Sequence, residues 1–277
     1  MNKKIILITG AAKGIGRHLA QCFLAKNFQV IATDIDFELL EKGWNTTSNL
    51  ENTEGVHLEK LDVTKPQEWQ LLKEKIKKKY GKLDICINNA GVVMPSFLKD
   101  LDVQTIDYQI DVNSKGMMYG TKYAADLMIE QGSGHIINIA SLAGVAPING
   151  LAVYSASKYA TRGFSLAVVP ELQQYGVHLS VVCQDLVDTD MLTLQLDYKA
   201  SALSFSGKKY LTVEDIEHAV FKRALAHKEV EILVPKGRGL TAKLGNFFPS
   251  IGFKLTKILS EKGLENLERI KKERMNP

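Results

Sequence analysis

The 277-residue chain predicts an α/β fold in which a parallel sheet is covered by helices on both faces, and three observations carry that expectation. Short, β-branched, apolar runs of the kind that forms fully buried strands alternate with segments of helical periodicity as far as Val234. Three glycines stand where the first apolar run gives way to the first helical stripe. No long linker, repeat or low-complexity stretch interrupts the alternation, so residues 1–235 read as one α/β unit followed by a separate extension, 236–277.

The elements follow in order. Lys4 to Thr9 reads as the first strand; Gly10, Gly14 and Gly16 form a turn; Ile15, Leu19, Cys22 and Phe23 mark the buried stripe of the first helix. Phe28 to Thr33 is a second strand, ending at Asp34, and a helix is placed within Glu38 to Asn52. Val56 to Leu61 is the third strand, and Pro66 opens a helix reaching Lys79, because proline is tolerated in a first turn. The run KEKIKKKYGK in that helix reads as a solvated face. Leu83 to Asn88 is the fourth strand. A long helical segment from Asp102 to Gln131 is interrupted at Asn113, Ser114 and Gly116. His135 to Ala140 is the fifth strand, and Val153 to Tyr175 the next helix, with Pro170 expected to kink it or end it early. Val177 to Cys183, a helix from Val213 to Ala226 and a seventh strand from Val230 to Val234 complete the unit.

Composition excludes several classes. With 45% hydrophobic and 24% charged residues the chain is an ordinary globular one, and a net charge of +4 is too small to imply a nucleic-acid partner. Cys22, Cys86 and Cys183 lie far apart among apolar neighbours, which predicts reduced thiols and a reducing cytoplasm. The opening MNKKIILITG is too short in its apolar part for a secretory leader, and no run approaches the roughly 20 apolar residues of a membrane span. The six histidines show no HxxxH and the cysteines no CxxC spacing, so no metal site is expected.

Two clusters carry chemistry. Gly10, Gly14 and Gly16 allow a close backbone approach at a helix N-terminus, whose unpaired N–H groups suit a pyrophosphate. Asp34, eighteen residues after Gly16, is placed to accept hydrogen bonds from an adenosine ribose and to repel a 2′-phosphate, which favours NAD over NADP. Lys13 pulls the other way, since its ammonium could meet a phosphate; the bland reading of Asp34 is a cap for the next helix. In the second cluster Tyr154 and Lys158 are i and i+4 and share a helix face, with Ser141 thirteen residues before the tyrosine. A lysine ammonium beside a phenol lowers its pKa, and a serine hydroxyl could hold a substrate oxygen against it.

Taken together, TGAAKGIG at 9–16, Asp62-Val63 after the third strand, NNAG at 88–91, Asn113, Ser141 and YSASK at 154–158 resemble the short-chain dehydrogenases/reductases over residues 1 to about 235. The resemblance implies a Rossmann-type, doubly wound sheet of seven parallel strands and an oxidoreductase interconverting a secondary alcohol and a ketone. It also implies site roles. Gly10, Gly14, Ile15 and Gly16 would hold the pyrophosphate, Asp34 the ribose, Asp62 and Val63 the adenine, and Asn89, Ala90 and Gly91 the nicotinamide-side ribose. Tyr154 would be the acid/base, Lys158 would bind the ribose and lower the tyrosine pKa, Ser141 would orient the substrate, Asn113 would hold a relay water, and Thr189, after Val187, would reach the carboxamide. A homodimer or homotetramer is implied as well. Two features depart from the family's pattern: Gln184-Asp185 stands where Pro-Gly is usual, placing a carboxylate near the cofactor, and Pro170 lies in a helix of the family's dimer interface. An alternative reading, a catalytically weak nucleotide sensor on the same scaffold, follows from the first departure.

Residues 236–277 hold ten Lys or Arg and four Asp or Glu, a net of +6 that leaves −2 for the rest. Phe247, Phe248, Ile251, Phe253, Leu255, Ile258 and Leu259 stand among lysines there. Such a basic amphipathic segment either contacts a bilayer surface or folds over the substrate pocket or a partner subunit. Both readings point to a lipophilic alcohol or ketone, as does the weakly polar stretch Thr193 to Gly207.

Overall fold

Strand β1 (Ile5–Thr9) is buried along its whole length and sends Ile6 and Ile8 to one face of the sheet and Ile5 and Leu7 to the other. That division is repeated by β2 (Gln29–Asp34), β3 (Val56–Lys60), β4 (Ile85–Asn88), β5 (Gly134–Ile139), β6 (Val177–Gln184) and β7 (Glu231–Val234). All neighbours pair in parallel in the order β3-β2-β1-β4-β5-β6-β7, so the chain reverses direction across the sheet between β1 and β4. The structure, a computed structural model, describes residues 3–45, 55–207 and 209–275, without the side chains at 249, 251–255, 274 and 275.

Helices α1 (Gly14–Ala25), α2 (Phe37–Asn45) and α8 (Val213–His218, continued by a π-helical stretch Ala219–Ala226) cover one face. Helices α3 (Pro66–Tyr80), α5 (Met117–Gln131) and α6 (Ala152–Gln173) cover the other, around Trp69, Leu72, Met128 and Leu172. The last part of the predicted second helix, 46–52, lies outside the described residues, as do the side chains of Ile251, Phe253 and Leu255.

The predicted interruption of the long helix takes the form of one π-helical turn, Asp111–Gly116, between α4 (Val103–Ile110) and α5. Pro170 does not end α6, which continues to Gln173, because proline removes one backbone donor close to a terminus where few hydrogen bonds remain to be lost. After β6 come α7 (Asp190–Gln195) and a 3₁₀ segment, Lys199–Ser206. The extension forms two helices, α9 (Lys236–Phe247) and α10 (Pro249–Met275). Leu267 and Ile270 of α10 are buried against Leu192, Leu196 and Phe205, and Asn266 Nδ2 donates to Phe205 O at 3.0 Å. No helix among the described residues is long and apolar enough to cross a membrane.

Candidate active site

The carboxyl ends of β1 and β4, where the winding reverses, open the crevice in which sheets of this topology hold ligands. Gly10 and Gly14 have φ of +66° and +55°, a left-handed backbone that a side chain would strain. A Cβ on Gly16 would lie 2.1 Å from Gly10 O, so only glycine lets α1 pack this close to the loop. A Cβ on Gly14 would make ordinary contact with Thr189 at 3.5 Å, so the space is not crowded there. No side chain caps the N-terminus of α1, leaving its first N–H groups without a side-chain partner. The cradle therefore fits a pyrophosphate.

Asp34 ends β2 beside this loop. Its Oδ2 accepts from Ala12 N at 3.0 Å and its Oδ1 from Asp36 N at 3.1 Å. The helix-cap reading of Asp34 is corrected: Asp36 is the residue whose Oδ1 accepts from Leu39 N in the first turn of α2. Lys13 Nζ turns toward Asp190, 3.7 Å away and exposed. Asp62 Oδ1 accepts from Thr64 N at 2.9 Å, and Val63 is buried beside it.

The NNAG loop is bound to the glycine turn by Thr9, whose Oγ1 accepts from both Asn89 N and Ala90 N at 3.0 Å, while Asn89 Nδ2 donates to Thr9 O and Gly10 O. Asn88 belongs to a buried network the sequence did not disclose, donating to Asn138 Oδ1 at 2.8 Å and Thr121 Oγ1 at 3.2 Å. Asn113 sits in the π turn and clamps Val92, accepting from its N–H and donating to its carbonyl, both at 2.8 Å; it also donates to Ser157 Oγ at 3.0 Å. Its own carbonyl accepts from Thr161 Oγ1 at 3.1 Å.

Ser141 follows β5, and its Oγ accepts from Ala143 N at 3.1 Å. The hydroxyl shares a cavity wall with Tyr154 of α6. Burial pushes the Tyr154 phenol up to about 12, with the Ser141 contact pulling the other way. Burial pushes the Lys158 ammonium down to about 8. Lys158 Nζ donates to Ile139 O at 3.1 Å and lies 5.6 Å from the centre of the Tyr154 ring. Burial is the largest influence on the Tyr154 phenol, while the lysine ammonium donates to a backbone carbonyl.

Ser141 and Tyr154 open onto a cavity of about 500 Å³ whose walls include Leu142, Ile148, Leu151, Met191, Leu203 and Leu259, with Ile15, Val187 and Thr189 on the cradle side. Its outer wall is α9, through Arg238, Thr241, Ala242, Gly245 and Asn246. Their spacing is that of one helix face, a signal present in the sequence but hidden behind the more conspicuous aromatic residues of the extension. Asn246 Oδ1 accepts from Tyr159 OH at 3.0 Å, fastening α9 to α6.

The Gln184-Asp185 departure also finds its partner in α9. Asp185 N donates to Val234 O at 2.8 Å, extending the sheet at the place where the family's pattern has Pro-Gly. Asp185 Oδ2 lies 2.7 Å from Arg238 Nε, and both side chains are half-buried or better. Burial raises the Asp185 pKa and the guanidinium opposes that rise. The carboxylate that the sequence places near the cofactor is thus compensated by Arg238. Gln184 Oε1 is buried with no hydrogen-bond partner.

Comparison with known proteins places this geometry. Residues 4–198 match the family model for short chain dehydrogenases. An uncharacterized oxidoreductase of Staphylococcus saprophyticus is 33% identical over 220 residues, covering 79% of this chain and 90% of its own. One of Staphylococcus aureus strain MRSA252 is 32% identical over 232 residues, covering 84% and 95%. Among solved structures, a short chain dehydrogenase/reductase of Burkholderia phymatum in complex with NAD superposes with a TM-score of 0.80 at 24% identity, over 91% of this chain and 95% of that one. ElxO with NADP bound gives 0.74 at 28% identity, over 83% and 96%.

Proposed function

The chain belongs to the short-chain dehydrogenase/reductase family, and from that premise we propose that it interconverts a secondary alcohol and a ketone on an apolar, lipid-like substrate, using a nicotinamide dinucleotide with NAD(H) preferred over NADP(H). The observation that carries the reading is the convergence of Ser141 and Tyr154 on one end of an apolar cavity, with Lys158 at the tyrosine ring and the glycine cradle alongside.

Gly10, Gly14, Ile15 and Gly16 hold the pyrophosphate, Asp34 the adenosine ribose, Asp62 and Val63 the adenine, and Asn89, Ala90, Gly91 and Lys158 the second ribose. Val187 and Thr189 border the carboxamide. When bound, the nicotinamide supplies or accepts the hydride at the substrate carbon. Ser141 orients the substrate oxygen, and Tyr154 gives a proton to that oxygen in reduction or takes it in oxidation. Asn113 fixes the loop at Val92 and holds a relay water. A carboxylate at Asp34, with Lys13 turned toward Asp190, disfavours a 2′-phosphate and supports the preference for NAD(H). The exposed apolar side of α9, formed by Leu240, Leu244 and Phe247, further supports contact with a membrane surface.

The test is a fluorescence titration with NADH and NADPH followed by an alcohol screen monitored by NADH formation. Tyr154→Phe should reduce turnover by roughly 10²-fold or more, the scale of a lost acid/base group, while NADH affinity changes less than about twofold. Activity retained by that variant sinks the assignment.

A further inference from the structure

On the face of α1 turned away from the cradle, His18 and Cys22 are one helical turn apart and meet Glu217 of α8. His18 Nε2 is 3.0 Å from Glu217 Oε2 and 3.5 Å from Cys22 Sγ. One ligating atom from each of the three lies within 4.8 Å of the other two. Donor atoms around a tetrahedral ion with bonds of about 2.0–2.3 Å stand roughly 3.2–3.7 Å apart. The His18–Cys22 separation falls within that range and the His18–Glu217 separation just below it. We propose that His18, Cys22 and Glu217 form a three-ligand site for a zinc-class divalent ion, bridging α1 and α8.

The donor set selects the ion. A thiolate, an imidazole and one carboxylate suit Zn²⁺ or Co²⁺, whereas Ca²⁺ and Mg²⁺ require oxygen ligands. His18 and Glu217 keep 22% and 30% of their side-chain surface exposed, so an ion can enter and a water can complete its coordination. On ligation the Cys22 S–H bond breaks, an S–metal bond forms and the proton passes to solvent; His18 binds through the Nε2 lone pair with its ring proton on Nδ1, and no atom changes oxidation state. The spacing His18-x₃-Cys22 carries no sequence signal by itself, since its third ligand comes from a helix about 200 residues on and is brought near only by the sheet.

The experiment uses the full chain, stripped with a chelator, titrated with Zn²⁺ by calorimetry and with Co²⁺ by absorption. One ion per chain, a thiolate-to-cobalt band in the near ultraviolet and a rise in melting temperature with Zn²⁺ are expected. Cys22→Ser should abolish the band. His18→Gln and Glu217→Gln should each weaken Zn²⁺ by at least ~10-fold, the lower bound seen even when a residue that only orients a ligand is lost. Cys86 and Cys183 are fully buried in β4 and β6 and provide no competing thiol. NADH binding measured on the same variants shows that they remain folded. Absence of a saturable one-to-one isotherm, or Zn²⁺ affinity unchanged in Cys22→Ser and His18→Gln, overturns the site.

Discussion

Lys158 shows how the site sets function against stability. Its folded pKa is about 8 against 10.5 for an exposed lysine, so between those values the unfolded chain binds more protons and stability rises with pH. The cost is complete below pH 8 and fades toward pH 10.5, and a shift of that size corresponds to about 3 kcal/mol. Replacing Lys158 with methionine should therefore raise the melting temperature at pH 7 by several degrees while turnover is lost. The gain should shrink as the pH approaches 10.5. Part of it is offset by the loss of the donor to Ile139 O; a variant that melts lower than the parent at pH 7 contradicts the argument. Asp34 offers a second test at this scale. Asp34→Ser removes the charge while keeping an oxygen for Ala12 N, and should narrow the NADH preference over NADPH by about tenfold, or 1.4 kcal/mol. Equal NADPH affinity before and after the change removes Asp34 from cofactor choice.

Among the elements, β6 and α9 are joined by the Asp185–Arg238 pair, which stands where the family's pattern has a proline and a glycine. Breaking a buried pair by removing one member strands the other charge. Arg238→Met should cost on the order of 2 kcal/mol at pH 7, less than the roughly 3–5 kcal/mol of a fully buried pair because Arg238 is partly exposed to solvent, and the loss should diminish toward pH 5. The sign follows from Asp185: without the guanidinium its pKa rises further, the folded state then binds more protons, and stability falls as pH rises through that window. Melting curves at pH 5 and pH 7, with proteolysis at α9 as a second readout, decide it; a pH-independent loss points to packing alone. This pair also shows what one-dimensional reading can reach. Gly16 and the π turn at Asn113 were legible because their causes are local: a turn that admits no side chain, and polar residues breaking an apolar helix. Arg238 was not, because its partner lies 53 residues earlier and meets it only through the pairing of β6 with β7.

At the scale of the whole molecule the order of the sheet follows from the alternation of apolar runs and helices, whereas the position of the extension depends on contacts that no spacing announces. Glu231 of β7 receives Arg162 of α6 at 2.7 Å and also Lys243 of α9, and Lys271 of α10 lies 2.7 Å from Asp197 beside α7. These contacts lay α9 and α10 over the cavity, as one of the two readings of the extension anticipated. The other reading keeps its physical basis, because α9 has two faces. Arg238, Thr241, Ala242, Gly245 and Asn246 turn inward, while Leu240, Leu244 and Phe247 occupy the opposite side and Phe247 is 78% exposed. Apolar residues exposed on the outer wall of a lipophilic cavity, in a segment of net charge +6, suit an anionic lipid surface from which an apolar substrate would enter. Sedimentation with anionic vesicles tests this on the full chain, and Leu244→Glu with Phe247→Glu provides the control, since both positions are exposed and the fold should melt unchanged. The parent should pellet with the vesicles at low salt and progressively less as salt screens the attraction. The double variant should remain in solution at every salt concentration. Equal pelleting of the two, or pelleting insensitive to salt, removes the membrane reading and leaves α9 as a wall of the cavity.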